Sequence, residues 1–127
     1  MVLVFAESPR GQFKKAAFEA VTYGKKVADM LGTTCAALSL GSAKDAGELG
    51  RYGASRVLQV SDAAFDQFDS QAYAAAIAEV VNSKEVSDAI TADGSVPYGS
   101  TPQQFRDAIN RNAPAFQKIA RESNMSL

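Results

Sequence analysis

The chain has 127 residues, 46% hydrophobic and 21% charged, with a formal net charge of −1. That length predicts one domain with one ordinary core, and the near-neutral balance gives no electrostatic footprint for nucleic acid or a membrane surface. One cysteine and no histidine exclude an internal disulfide, a His/Cys metal cage and a His-based triad.

Val2–Ala6 is a short run of apolar, β-branched and aromatic residues, the composition of a strand buried on both faces. Met1 leads straight into it without the positive region or cleavage site of a signal peptide. No apolar stretch approaches the ~20 residues that span a bilayer, so a cytoplasmic protein is expected. From Phe13 to Leu31 the apolar residues Phe13, Ala17, Ala20, Val21, Val27, Ala28 and Leu31 fall at helical spacing, with Lys14, Lys15, Lys25, Lys26 and Asp29 on the wet side. Gly32 then stops the helix. Thr34–Leu40 predicts a second buried strand ended by Gly41. Ser42 is placed to cap a helix that ends near Tyr52-Gly53, with Asp45 in its first turn. Ser55–Val60 predicts a third strand, and Asp69 or Ser70 caps a helix carrying Tyr73, Ile77, Val80 and Val81 on one face. Strands and helices alternating over short loops predict a parallel sheet.

The texture changes after Val81. Asn82-Ser83 either interrupts a helix running from about Ser70 to Ala92 or caps a new turn through Val86 and Ile90. Ser95–Tyr98 has room for one very short strand, at an edge because of Pro97. Thr101-Pro102-Gln103-Gln104 is a helix start, with Thr at N-cap, Pro at the first helical position and Gln104 closing a capping box. The helix that follows has Phe105, Ala108, Ile109, Phe116 and Ile119 on one face, which is expected to dock on the sheet. Pro114 should kink it by removing the bond to Asn110.

The segments "VLVFAE" at 2–7, "GQFKKAAFEAVTYGKKVADMLG" at 11–32, "ALSLG" at 37–41, "LGRYGASRVLQVSD" at 49–62 and "QAYAAAIAEVV" at 71–81 resemble the N-terminal stretch of the α subunit of bacterial electron transfer flavoproteins. "SKEV" at 83–86, "GSVPYGSTPQQF" at 94–105 and "INRNAPAFQKIARESNMSL" at 109–127 resemble the C-terminal tail of the periplasmic solute-binding proteins of tripartite tricarboxylate transport. The first resemblance implies the strand order 3-2-1 with a fourth strand beside the first. It also implies a stretch that serves as scaffold and subunit contact, the flavin being held chiefly by a later domain that is missing here. The second implies a tail that only completes one lobe of a ligand cleft.

Few residues invite a chemical role. Glu7 and Asp62 follow the first and third strands, where α/β sheets bind ligands, but without a partner base or metal motif they read as loop acids that end strands and cap turns. Gly41, Gly47, Gly50 and Gly53 fit neither a dinucleotide nor a phosphate-loop spacing; Gly41 reads as a strand-ending turn and Gly53 as a helix cap. The loop Ser8-Pro9-Arg10-Gly11-Gln12, with help from Arg10, offers no more than any strand-to-helix loop does and supports only weak, adventitious sulfate or phosphate binding. Cys35 reads as a small core residue.

The expected fold is α/β: a small three-layer αβα sandwich whose mostly parallel sheet has three to four strands, half of a Rossmann-like or flavodoxin-like domain. Taken together, the resemblances imply an engineered chimera joined near residues 81–82, a single domain over 1–127 without catalytic, cofactor-binding or metal-binding residues. The alternative is a remnant flavin- or nucleotide-binding, or subunit-interaction, module of an electron transfer flavoprotein α subunit. No enzyme activity, cofactor, nucleic acid or membrane is expected. The open sheet edges point to a homodimer or a domain swap as the form of association.

Overall fold

The computed structural model describes residues 1–94, 96–97 and 101–122. Three strands, β1 (Val2–Phe5), β2 (Cys35–Leu40) and β3 (Arg56–Val60), form a sheet in the order β1-β2-β3. Both pairings are parallel, with Val2 opposite Cys35 and Leu40 opposite Val60. Four helices accompany them: α1 (Lys15–Met30), α2 (Ser70–Asn82), α3 (Lys84–Thr91) and α4 (Pro102–Glu122). The three strands expected over residues 2–60 are each present within a residue or two, in the 3-2-1 order that the flavoprotein resemblance implies, and among the described residues no fourth strand lies beside β1.

Every residue of β2 is buried, as a central strand covered on both faces requires. Side chains alternate between the faces. On one side Val4, Ala37 and Val57 meet Ala17 and Val21 of α1, together with Leu49 and Ala54. On the other, Leu3, Phe5, Leu38, Leu40, Leu58 and Val60 meet Tyr73, Ala76, Ile77 and Val80 of α2. Two helical layers thus sandwich the sheet.

Two expectations are corrected and one open alternative is decided. The helix expected from Ser42 begins only at Ala46 and is a 3-10 helix ending at Tyr52, closed by Gly53 in the left-handed region; Gly47 and Gly50 weaken any α-helix there. The alternative left open at Asn82-Ser83 falls on the broken side: α2 runs to Asn82, and Ser83, extended with φ −60° and ψ 144°, joins it to α3. The hydroxyl of Ser83 caps nothing in α3 and instead donates to the Val80 carbonyl at 2.7 Å. Finally, the described part of the α4 face is not buried on the sheet: Phe105 and Ile109 are 60% and 50% exposed, while the side chains of Phe116 and Ile119 lie outside the described part. Of the short strand expected at Ser95–Tyr98, Ser95 and Tyr98 lie outside the described part, and Val96 and Pro97 are not in a strand. The capping box of α4 is formed, with Gln104 N–H donating to Thr101 Oγ1 at 3.2 Å and Thr101 N–H to Gln104 Oε1 at 2.8 Å. The helix continues through Pro114.

The helix α3 lies at the amino ends of the strands. Val86 is buried, Arg56 at the start of β3 pairs with Glu85, and Thr33 before β2 donates to Asp93 at 2.6 Å. The opposite, carboxyl ends of the strands are left to loops.

Candidate functional site

The loops at the carboxyl ends of the strands enclose a cavity of about 470 Å3 lined by Arg10, Gly11, Gln12, Ser42, Lys44, Asp66 and Gln67. Each comes from the segment following a strand. After β1, Pro9–Gly11 makes a 3-10 turn in which Arg10 adopts φ 57° and ψ 32°, a left-handed conformation uncommon for a residue with a side chain. After β2, Gly41 turns the chain at φ 96°. A Cβ there would come within 2.9 Å of Asp66 Oδ1, so this position demands glycine on both conformational and steric grounds. After β3, Asp62 caps the 3-10 turn Ala63–Asp66 by accepting from Ala64 N–H at 2.9 Å.

Two polar networks fix these loops. Buried Ser8 donates from its hydroxyl to the Leu40 carbonyl at 3.3 Å and shares a second 3.3 Å hydrogen bond with the hydroxyl of buried Ser39. Gln59 Nε2 donates to the carbonyls of Gly41 and Ala43, at 3.2 and 2.8 Å. Buried polar groups are thereby satisfied, and the turn after β2 is tied to β3.

Within the cavity wall, Ser42 donates from its backbone N–H at 2.8 Å and its hydroxyl at 2.5 Å to Asp66 Oδ1. The hydroxyl bond, followed by the backbone bond, holds the Asp66 carboxyl below the usual carboxylate range. Neighbouring Tyr73 is displaced upward, chiefly by burial, with the charges of Glu7 and Asp66 adding to it. Its hydroxyl donates to the Phe65 carbonyl.

A second concavity, of about 430 Å3, lies on the outer side of α1. Lys15, Phe18, Glu19, Thr22, Tyr23 and Lys26 form one stripe of that helix, and Tyr52 closes it from the 3-10 helix. Phe18 and Tyr52 are stacked with centroids 4.4 Å apart. Tyr23 is 72% exposed and Tyr52 42%. The aromatic residues thus present a largely apolar surface with lysines at its margin.

The sequence-predicted residues divide clearly. Glu7 is exposed beside the carboxyl-end loops, and Asp62 is a turn cap. The loop Ser8–Gln12 contributes Arg10, Gly11 and Gln12 to the cavity. Gly41 ends its strand and Gly53 caps, as expected, and neither Gly47 nor Gly50 reaches the cavity. Cys35 is buried under α1, and burial pushes its thiol up, away from the reactive thiolate. Sequence reading missed Ser42, Lys44, Asp66 and Gln67 as cavity residues. It also missed the aromatic stripe, whose signal was present in the three- and four-residue spacing of Phe18, Thr22, Tyr23 and Lys26. Among the described residues no group of three His, Cys, Asp or Glu is arranged to hold a metal.

Neither concavity fits a flavin ring. No aromatic or aliphatic side chain lines the carboxyl-end cavity, and a large planar ring is held mainly by such side chains. The aromatic groove offers no slot, because Phe18 and Tyr52 stack on each other.

Comparison with known proteins gives one consistent relationship. The model of the family described as "Electron transfer flavoprotein domain" matches residues 2–105, continuing past residues 81–82, the expected junction. A protein named Protein FixB from Clostridium saccharobutylicum is 33% identical over 85 residues, 66% of this chain and 25% of that protein. The electron transfer flavoprotein subunit alpha of Clostridium acetobutylicum is 33% identical over 86 residues, 66% of this chain and 26% of that protein. Protein FixB of Azorhizobium caulinodans is 35% identical over 86 residues, 64% and 23%. The chain therefore spans about a quarter of the length of these relatives. No solved structure matches it.

Proposed function

Because the chain belongs to the electron transfer flavoprotein domain family, we propose that it acts as a non-catalytic subunit-interaction module of the α-subunit kind. The aromatic stripe of α1 is its docking surface. The observation that carries this reading is the exposed pair Tyr23 and Tyr52, the latter stacked on Phe18. Tyrosine is enriched where surfaces bury on association, since its ring is rigid and its hydroxyl finds a partner. The flanking Lys15 and Lys26 suit a partner with an acidic rim. That partner is the complementary subunit of an electron transfer flavoprotein. No helix among the described residues is long and apolar enough to cross a membrane.

Titration of the complementary subunit against the full chain tests this. Saturable binding is expected, with Tyr23→Asp weakening it at least tenfold without moving thermal unfolding, and Tyr52→Ala weakening it as much while lowering the midpoint, because its ring stacks on Phe18. Binding indifferent to both substitutions would remove the surface from consideration.

A second reading is that of a scaffold engineered by joining two proteins near residues 81–82, without an evolved ligand. The helix break at Ser83 and the exposed Phe105 and Ile109 favour it. The family match that runs to residue 105 favours the first.

A further inference from the structure

We propose that the cavity at the carboxyl ends of the strands is a binding site for a phosphate monoester, with Arg10 and Lys44 as its cationic anchors. Neither residue is in an ion pair among the described residues, although Lys15, Lys25, Arg51, Arg56, Lys84 and Lys118 all are. The one carboxylate in the same wall, Asp66, offsets only one of these two charges. It is turned to Ser42, which supplies both a backbone and a hydroxyl donor. Two cations beside one committed carboxylate leave a positive cavity, and Gln12 and Gln67 add amide donors to its lining.

A dianionic phosphate satisfies both cations at once. The guanidinium of Arg10 offers a planar fork matched to phosphate oxygens, and Lys44 a point charge. Asp66 remains ionised and keeps lone pairs that Ser42 does not use. It therefore accepts from a hydroxyl of the ligand's organic part and disfavours a bare anion. These features select an esterified phosphate carrying hydroxyl groups, such as a sugar phosphate. The position agrees, since α/β sheets bind ligands outside the carboxyl ends of their strands. The left-handed conformation of Arg10 is of the kind that persists at ligand clamps.

The test is a titration of the full chain at about 0.15 M ionic strength, following the amide resonances of Gly11 and Ser42. Inorganic phosphate, ribose 5-phosphate and unphosphorylated ribose are the probes, with sulfate and chloride as ionic controls. Saturation in the millimolar range is expected for inorganic phosphate and below it for ribose 5-phosphate, with no response to ribose. Arg10→Gln and Lys44→Gln should each weaken phosphate binding about fivefold without moving the unfolding midpoint. Lys26→Gln, in the aromatic groove, should change nothing. Asp66→Asn should tighten inorganic phosphate and erase the preference for the sugar ester. The proposal is overturned if sulfate or chloride produces the same shifts, if both cation substitutions are silent, or if ribose alone binds as well as its phosphate. Should Arg10→Gln lower the midpoint, Lys44→Gln decides by itself.

Discussion

Gly24 of α1 rests directly on Val4 of β1: a Cβ placed on Gly24 would come within 2.3 Å of Val4 Cγ2 and 3.3 Å of Cys35 Sγ. The helix can approach the sheet this closely only because that side chain is missing. Alanine at an exposed helix interior would stabilise by about 1 kcal/mol relative to glycine. Here overpacking, which costs about 1–3 kcal/mol, opposes it. Gly24→Ala should lower stability in urea denaturation. A stabilised variant would mean that α1 slides outward at little cost.

The two helices that meet at residue 83 have opposite dependences on their leading side chains. Asp69 accepts from Gln71 N–H at 3.0 Å and Ala72 N–H at 2.8 Å, so Asp69→Ala should cost about 1 kcal/mol. Ser83 makes no cap bond and only returns its hydroxyl to Val80, so Ser83→Ala should change stability by less than about 0.5 kcal/mol. Equilibrium denaturation of the pair checks the ordering, and equal losses would contradict the observed geometry.

Asp66 predicts a specific acid limb. Its folded-state pKa is depressed, first by the Ser42 hydroxyl and then by the Ser42 N–H. A depressed carboxylate contributes stability that is present above the unfolded value, about pH 4, and is lost as pH falls through the folded value. Ser42→Ala should move the Asp66 titration upward, as read by carboxyl-carbon NMR. It should also shrink the stability difference between pH 5 and lower pH. An unmoved titration would show that the hydroxyl bond is not maintained in solution.

Because Phe105 and Ile109 stand exposed on α4, removal of residues 101–127 should leave the unfolding midpoint of the remainder unchanged. Removal from residue 83 onward is different. It deletes buried Val86 and the Arg56–Glu85 ion pair, and the midpoint should fall. A truncated 1–100 chain that aggregates would restore the docking that the amphipathic spacing of α4 suggests.

Composition made the strands legible: Val2–Ala6 is apolar throughout, and Thr34–Leu40 carries only Thr34 and Ser39 as polar residues, as the fully buried central strand β2 requires. The α4 start was legible because a capping box is a local motif, complete within Thr101–Gln104. The Ser42–Asp66 contact was not, since a separation of 24 residues is bridged by a crossover that leaves no local pattern. Ser42 looked like a helix cap for the same reason, as a small hydroxyl residue serves either role. The face of α4 was readable and its partner was not, because amphipathic spacing specifies a stripe without naming what covers it. The aromatic stripe of α1 lay among lysines that marked that side as solvated, and Phe18 and Tyr23 passed as incidental.

Only β2 has a hydrogen-bonded neighbour on each side among the described residues. That places the chain's slowest clock in a single strand. Deuterium entering at Ala37 or Ser39 has to wait for β1, β3 and both helical layers to part together, so its rate reports the whole molecule opening. On α4 the same label would enter through fraying alone. One exchange experiment therefore separates a rigid sheet from an appended helix on the axis of time, without altering a residue.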